Sequence, residues 1–262
     1  MLLASGSRRV LSALTAALTG VVLAGCGGDE PEAAPTGSPA PPASVQPDRD
    51  DREAFAGLAA LALDRRYAAL YTLDVGNGAP RNVIATVAND GSWRVDIPNG
   101  ALGGTAGVSI VRNTNGVYQC SLPTPENPVT AGCVRVAAKG DKVPRRYDPR
   151  VQRLFRQWLP VFTDRKAALA VSAVQPLPGA QGSCFAVDSV SASLDAPVDV
   201  GIYCYSADGL LTAARVEFGV LKLVSQVAGP QAVQFPGPEV AGDPMGMDSP
   251  PPVEVPSAAP SA

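Results

Sequence analysis

Leu23-Ala24-Gly25-Cys26 is the run in this 262-residue chain whose residue types and order suit one defined reaction. A thiolate is the nucleophile that accepts a lipid. Cys26 also follows two small residues that let a peptidase reach the bond in front of it. Upstream lie Arg8 and Arg9, and then an apolar stretch over residues 10–24 that is too short for a stable membrane span. Charge, apolar run, small residues and Cys arrive in the order of an export leader cleaved before the Cys. An ordinary secretory leader with an incidental Cys is the competing reading.

The run resembles the bacterial lipobox. That resemblance implies a lipoprotein signal peptide over residues 1–25, lipidation at Cys26, and a chain held to the extracytoplasmic face of the cell membrane. Two acyl chains anchor a protein stably where one does not. Ser7-Arg8-Arg9-Val10-Leu11 also looks like a twin-arginine signal, with Sec export as the default. No later segment is apolar for long enough to span.

Cys120, Cys133, Cys184 and Cys204 remain beyond Cys26. An oxidising compartment and an even count favour disulfides. Each of the four lies in a strand-like run, and cross-strand neighbours reach disulfide distance with little movement. The expected pairs are therefore Cys120 with Cys133 and Cys184 with Cys204, each worth roughly 3 kcal/mol by loop closure. A four-thiolate zinc site is the alternative, without CxxC spacing to support it.

Other chemistry is thinly represented. The chain has no histidine, which removes the commonest general base and metal ligand and the usual hydrolase triads. It has no GxSxG, P-loop or GxGxxG motif. Asp141, Asp148, Asp188, Asp195 and Asp208 sit where turns and caps explain them, and a spatial carboxylate pair stays open. Ser206-Ala207-Asp208-Gly209 lacks the further oxygens of a Ca²⁺ loop. The expectation is a protein that is not an enzyme and carries no cofactor or metal.

With Arg8 and Arg9 lost in the leader, the remaining 19 Lys+Arg face 24 Asp+Glu, a formal charge of −5. No basic run is present, so nucleic acid and anionic lipid surfaces are poor partners. Residues 26–50 read as a disordered Pro/Ala-rich tether after the lipidated Cys, with a reach on the order of 70 Å. Residues 51–235 read as one domain and 236–262 as a disordered Pro-rich tail. A monomer is expected, with an envelope protein as a possible partner.

Elements to position these residues follow from periodicity. Phe55, Leu58, Leu61 and Ala62 make a helical stripe. Alternation then predicts strands near 67–75, 83–87, 93–97, 107–112, 116–121 and 132–136, with Asn77-Gly78 and Asn89-Asp90-Gly91 as turns. Asp148-Pro149 opens a helix over 148–159 whose stripe is Val151, Leu154, Phe155, Trp158 and Leu159, with Arg150, Arg153, Arg156 and Gln157 on its other side; Pro160 ends or kinks it. Residues 164–174 are ambiguous. Strands return near 183–190, 198–206, 211–218 and 220–227. Helix, meander, helix, meander is an α+β order.

This order, the lipobox, the tether and the segment Gly201-Ile202-Tyr203-Cys204-Tyr205-Ser206-Ala207-Asp208-Gly209-Leu210 resemble the LolA/LolB-like superfamily of bacterial lipoproteins, of the actinobacterial LppX/LprG type. Val216-Glu217-Phe218-Gly219-Val220-Leu221-Lys222-Leu223 is similar to their final strands. The resemblance implies a curved antiparallel half-barrel sheet closed by helices, with a lipid or other amphiphilic ligand between the two layers. Tyr71, Val95, Val108, Leu154, Phe155 and Trp158 are then the expected cavity lining. The same residues would equally serve as plain core, in which case the chain is a structural, interaction or sensor lipoprotein.

Overall fold

The computed structural model describes residues 47–124, 128–190 and 196–249. Cys26, the signal peptide, nearly all of the tether and the end of the tail lie outside the described residues. Helix α1 (Pro47–Asp64) leads into a first run of strands, β1 (Tyr67–Asp74), β2 (Arg81–Val87), β3 (Trp93–Ala101), β4 (Ala106–Arg112), β5 (Val117–Leu122) and β6 (Cys133–Ala137). The 3₁₀ turn Val151–Leu154 and helix α2 (Leu159–Thr163) follow. The second run is β7 (Leu169–Val174), β8 (Ser183–Ser189), β9 (Gly201–Tyr205), β10 (Leu211–Val216) and β11 (Gly219–Ala228). All eleven strands form one open sheet in the order β6-β5-β4-β3-β2-β1-β11-β10-β9-β8-β7. Every neighbouring pair is antiparallel. The two runs are thus meanders joined where β1 pairs with β11.

Strict alternation explains the core. Tyr67, Ala69, Tyr71 and Leu73 of β1 are buried on one face, with Val83, Ala85 and Val87 of β2 and Trp93, Val95 and Ile97 of β3 beside them. The Tyr71 hydroxyl donates to the Leu211 carbonyl at 3.0 Å, so this β1 side chain reaches across to β10. Register shifts in the β1–β11, β3–β4, β5–β6 and β9–β10 pairs add the local twist that lets a wide sheet bend.

Helix α1 covers one half of this face. Phe55 is fully buried, with ring centroids 4.8 Å from Phe162, 5.3 Å from Phe185 and 6.0 Å from Tyr205. Its buried stripe is Phe55, Ala59 and Ala62, while Leu61 is 48 % exposed, so Leu61 is not part of the packed stripe.

The expected helix over 148–159 is not there. Arg150 takes a left-handed φ of 66°, Val151–Leu154 is a 3₁₀ turn, and α-helix resumes only at Leu159, where Pro160 sits in the first turn. The reason lies at Asp148. Its side chain accepts the Arg150 amide at 2.9 Å, the Gln152 amide Nε2 at 2.6 Å and the Arg153 guanidinium, which folds the chain around the carboxylate and outcompetes a regular helix start. The stripe itself survives: Val151, Leu154, Phe155, Trp158 and Leu159 are all buried. The ambiguous stretch resolves into a turn at Asp164 followed by β7.

The outer face carries two small clusters, each holding a disulfide. Cys120–Cys133 joins directly opposed residues of β5 and β6, and Cys184–Cys204 joins those of β8 and β9. Val111 and Tyr118 pack with the first under Val233 and Phe235, and Leu177 and Ala213 with the second.

The domain does not end at 235. Residues 229–249 form a strap. Pro230 and Gln231 carbonyls accept the Asn89 and Asp90 amides. Further on, the Pro238 carbonyl accepts the Cys133 amide, and the Val240 amide donates to the Cys133 carbonyl. The strap therefore pairs with the first residue of the edge strand β6, where unpaired backbone groups would otherwise invite aggregation. Met245 exchanges two hydrogen bonds with the Gln119 side chain, and Met247 packs against the core. Proline richness removes donors from such a segment but leaves its carbonyls, and those of Pro230 and Pro238 pair alongside the Val240 and Met245 amides.

Burial has a readable pH consequence. Desolvation pushes the Tyr67 phenol up to about 12 and raises Tyr71, Tyr203 and Tyr205 as well. A raised folded-state value means stability that is complete below the unfolded tyrosine value of about 10 and is lost as pH rises from there through about 12. In an alkaline titration followed by phenolate absorbance, these four tyrosines should ionise together with loss of near-UV circular dichroism. Full ionisation with the tertiary signal intact would contradict the packing.

Candidate functional site

Trp93, Arg112 and Val117 stand side by side across β3, β4 and β5, paired Trp93 with Arg112 and Arg112 with Val117. Alternation turns all three toward the covered face. The Asp90 carboxylate fixes the turn before β3 by accepting the Ser92 amide at 2.8 Å and the Ser92 hydroxyl at 2.5 Å. Opposite this ladder runs the irregular segment from Gly140 to Val161. The two do not close on each other, and a cleft of about 780 Å³ lies between them. Its wall includes Trp93, Val117, Val143, Trp158 and Val161, together with Arg112, Lys142, Arg153, Arg156 and Gln157.

The charges in this wall are unequal in their pairing. Arg153 is bound to Asp148, whose side chain is 3 % exposed. Arg156 donates to the Leu63 carbonyl at the end of α1, at 2.6 Å, and makes no ion pair among the described residues. Burial pulls its guanidinium below the usual arginine value; the nearby positive charges of Arg66 and Arg112 act the same way, and Tyr67 and Asp64 oppose them. The Trp93 indole N–H is buried without an acceptor among the described residues.

A second, smaller cleft of about 260 Å³ is lined by Leu73, Val75, Ile97, Pro149, Val151 and Phe218, with Arg81 bonded to the Asn99 carbonyl at 2.6 Å beside it. Among the described residues no group of three or more His, Cys, Asp or Glu could hold a metal ion, and no helix is long and apolar enough to cross a membrane.

Of the six residues expected to line a cavity, Trp158 borders the larger of these two clefts. Tyr71, Val95, Val108, Leu154 and Phe155 are each at most 2 % exposed and border neither cleft. The Tyr71 and Phe155 rings meet at 5.0 Å, filling the space where a ligand was expected. The cleft lies instead at the Trp93 end of the strands. Arg153, Arg156 and Gln157, which helical periodicity turns to solvent, stand in its wall because the segment is not a regular helix. The signal that pointed here was three arginines within seven residues next to Trp158.

No protein-family model matches the chain, and no curated protein matches it. Among solved structures it is similar to a crystal structure of MucB, with a TM-score of 0.42 and 11 % identity over 76 % of this chain and 66 % of that one. The chain thus spans just under two thirds of that protein's length. At this level of likeness neither a family nor a ligand follows.

Removing the Arg153 guanidinium leaves the Asp148 carboxylate buried with only neutral donors. Arg153→Ala should therefore lower the unfolding free energy by roughly 2–3 kcal/mol in urea titrations. Arg153→Lys, which keeps the charge but not the fork, should fall between the two. An Ala variant as stable as the parent would mean that this ion pair does not hold the segment in place.

Proposed function

We propose that this chain is a non-enzymatic lipoprotein, held at the outer face of the cell membrane by a lipid on Cys26, that binds one amphiphilic ligand in the cleft beside Trp93 and Trp158. The observation that carries the reading is the cleft itself, whose volume of about 780 Å³ falls within the range of about 300–1,000 Å³ usual for small-ligand sites. Its wall has the mixture an amphiphile needs, with indole and aliphatic surface beside guanidinium and amide groups. Sequestration would be driven by apolar area leaving water, at about 25 cal/mol per Å². No covalent step is involved. A LolA-like carrier keeps its ligand between sheet and helices, and here the room for one lies at one end of that layer.

A second reading is supported by the packing of Tyr71, Val95, Val108, Leu154 and Phe155. With its middle filled, the protein would serve as a structural, interaction or sensor lipoprotein without a cargo.

Native mass spectrometry of the full-length protein, expressed in a lipoprotein-processing host and followed by solvent extraction, distinguishes them. The proposal predicts a chain beginning at Cys26 with a covalent lipid increment that Cys26→Ser abolishes. It also predicts a second, non-covalent increment that extraction removes. A chain bearing only the covalent increment, even after incubation with host lipids, favours the filled-core reading.

A further inference from the structure

We infer that the cleft recognises an acidic amphiphile, holding a phosphate or carboxylate between Arg112 and Arg156 and a single apolar chain against the two tryptophans. This rests on the cleft being the ligand site proposed above. The wall carries five Lys and Arg residues against two carboxylates, Asp141 and Asp148. Asp148 is already engaged by Arg153, by Gln152 and by the Arg150 amide. Neither Arg112 nor Arg156 has a carboxylate in ion-pair range among the described residues.

These two guanidiniums are close enough to act on each other, and Arg66 adds a third positive charge to the same neighbourhood. Holding like charges together in a half-buried place is unfavourable unless an anion joins them. An oxyanion accepts charge-assisted bonds from guanidiniums in a fork geometry that a neutral sugar or alcohol cannot match. Trp93, which lines the same cleft, is the cross-strand neighbour of Arg112. Val117, Val143 and Val161 supply the apolar part, which a free inorganic anion would leave unused.

The chain has two tryptophans, Trp93 and Trp158, and both line the cleft, so intrinsic fluorescence reports on this site. The test is a fluorescence titration of the full-length protein carrying Cys26→Ser, which removes the covalent lipid. The probes are dodecyl phosphate, dodecyl maltoside and inorganic phosphate, the amphiphiles below their micelle concentrations. Saturable binding of dodecyl phosphate about tenfold or more tighter than dodecyl maltoside is expected, with inorganic phosphate weaker still. Arg112→Gln and Arg156→Gln should each erase most of that preference, lowering the dodecyl phosphate affinity far more than the maltoside affinity. Arg156 also holds the end of α1 through Leu63, so Arg112→Gln is the decisive variant should Arg156→Gln lose its fold. Equal binding of the two amphiphiles would overturn the oxyanion inference and leave the amphiphile cleft standing. Inorganic phosphate binding as tightly as dodecyl phosphate would overturn the amphiphile part. No response to any probe would overturn this inference and the proposed function together.

Discussion

The buried carboxylate of Asp148 organises the covered face of this protein. It gathers a backbone amide, a side-chain amide and a guanidinium from the five residues that follow it. A carboxylate on a side chain at 3 % exposure is costly without such partners. Satisfying it bends the chain through a left-handed Arg150, a conformation costing on the order of 1–2 kcal/mol for a residue with a Cβ. Arg150 is held there by ion pairs to Asp199 and Glu217 and by the ring of Phe218, 5.6 Å from its guanidinium carbon. The segment that emerges lays Leu154 and Phe155 on the sheet. Trp158 also packs on the sheet, against Tyr203, and borders the cleft.

The positions of the strands were legible because burial on one face imposes a period of two, and a single-residue slip would expose the whole row. Both cysteine pairs followed from the same regularity, since each pair sits directly opposed on adjacent strands. β7 was not legible, because as an edge strand it buries only Val171 among its six residues. The 148–159 segment shows the limit most clearly. Its apolar residues were correctly assigned to the core, but spacing alone cannot report that a side chain competes with the backbone for hydrogen bonds. That competition brought three polar residues expected at the surface into the cleft wall. The strap was misread for a related reason: its composition resembles a linker, and its bonds run through proline carbonyls and tertiary contacts invisible to local pattern.

The two ends of the sheet are handled differently. The strap pairs with the Cys133 end of β6 through Pro238 and Val240. At β7 the Ala173 amide donates to the Asp51 carboxylate of α1, which ties the helix to the opposite edge. Helix α1, the irregular segment and Met245 and Met247 of the strap pack against the core with little regular helix. The cleft persists where the wall is basic, between the Asp148 segment and the β3–β5 ladder. Electrostatics and backbone geometry thus converge on the same place, while the geometric middle of the sheet is occupied by aromatic rings.

The central claim is that a ligand enters at the Trp93–Trp158 end and not at the middle of the sheet. A crystal structure of the protein soaked with a bromine-labelled fatty acid tests it directly through the anomalous signal of bromine. The account predicts bromine peaks within contact distance of Trp93 and Trp158, with Tyr71 and Phe155 still packed ring to ring. Peaks bounded by Tyr71, Val95 and Val108, with those rings displaced, would contradict it.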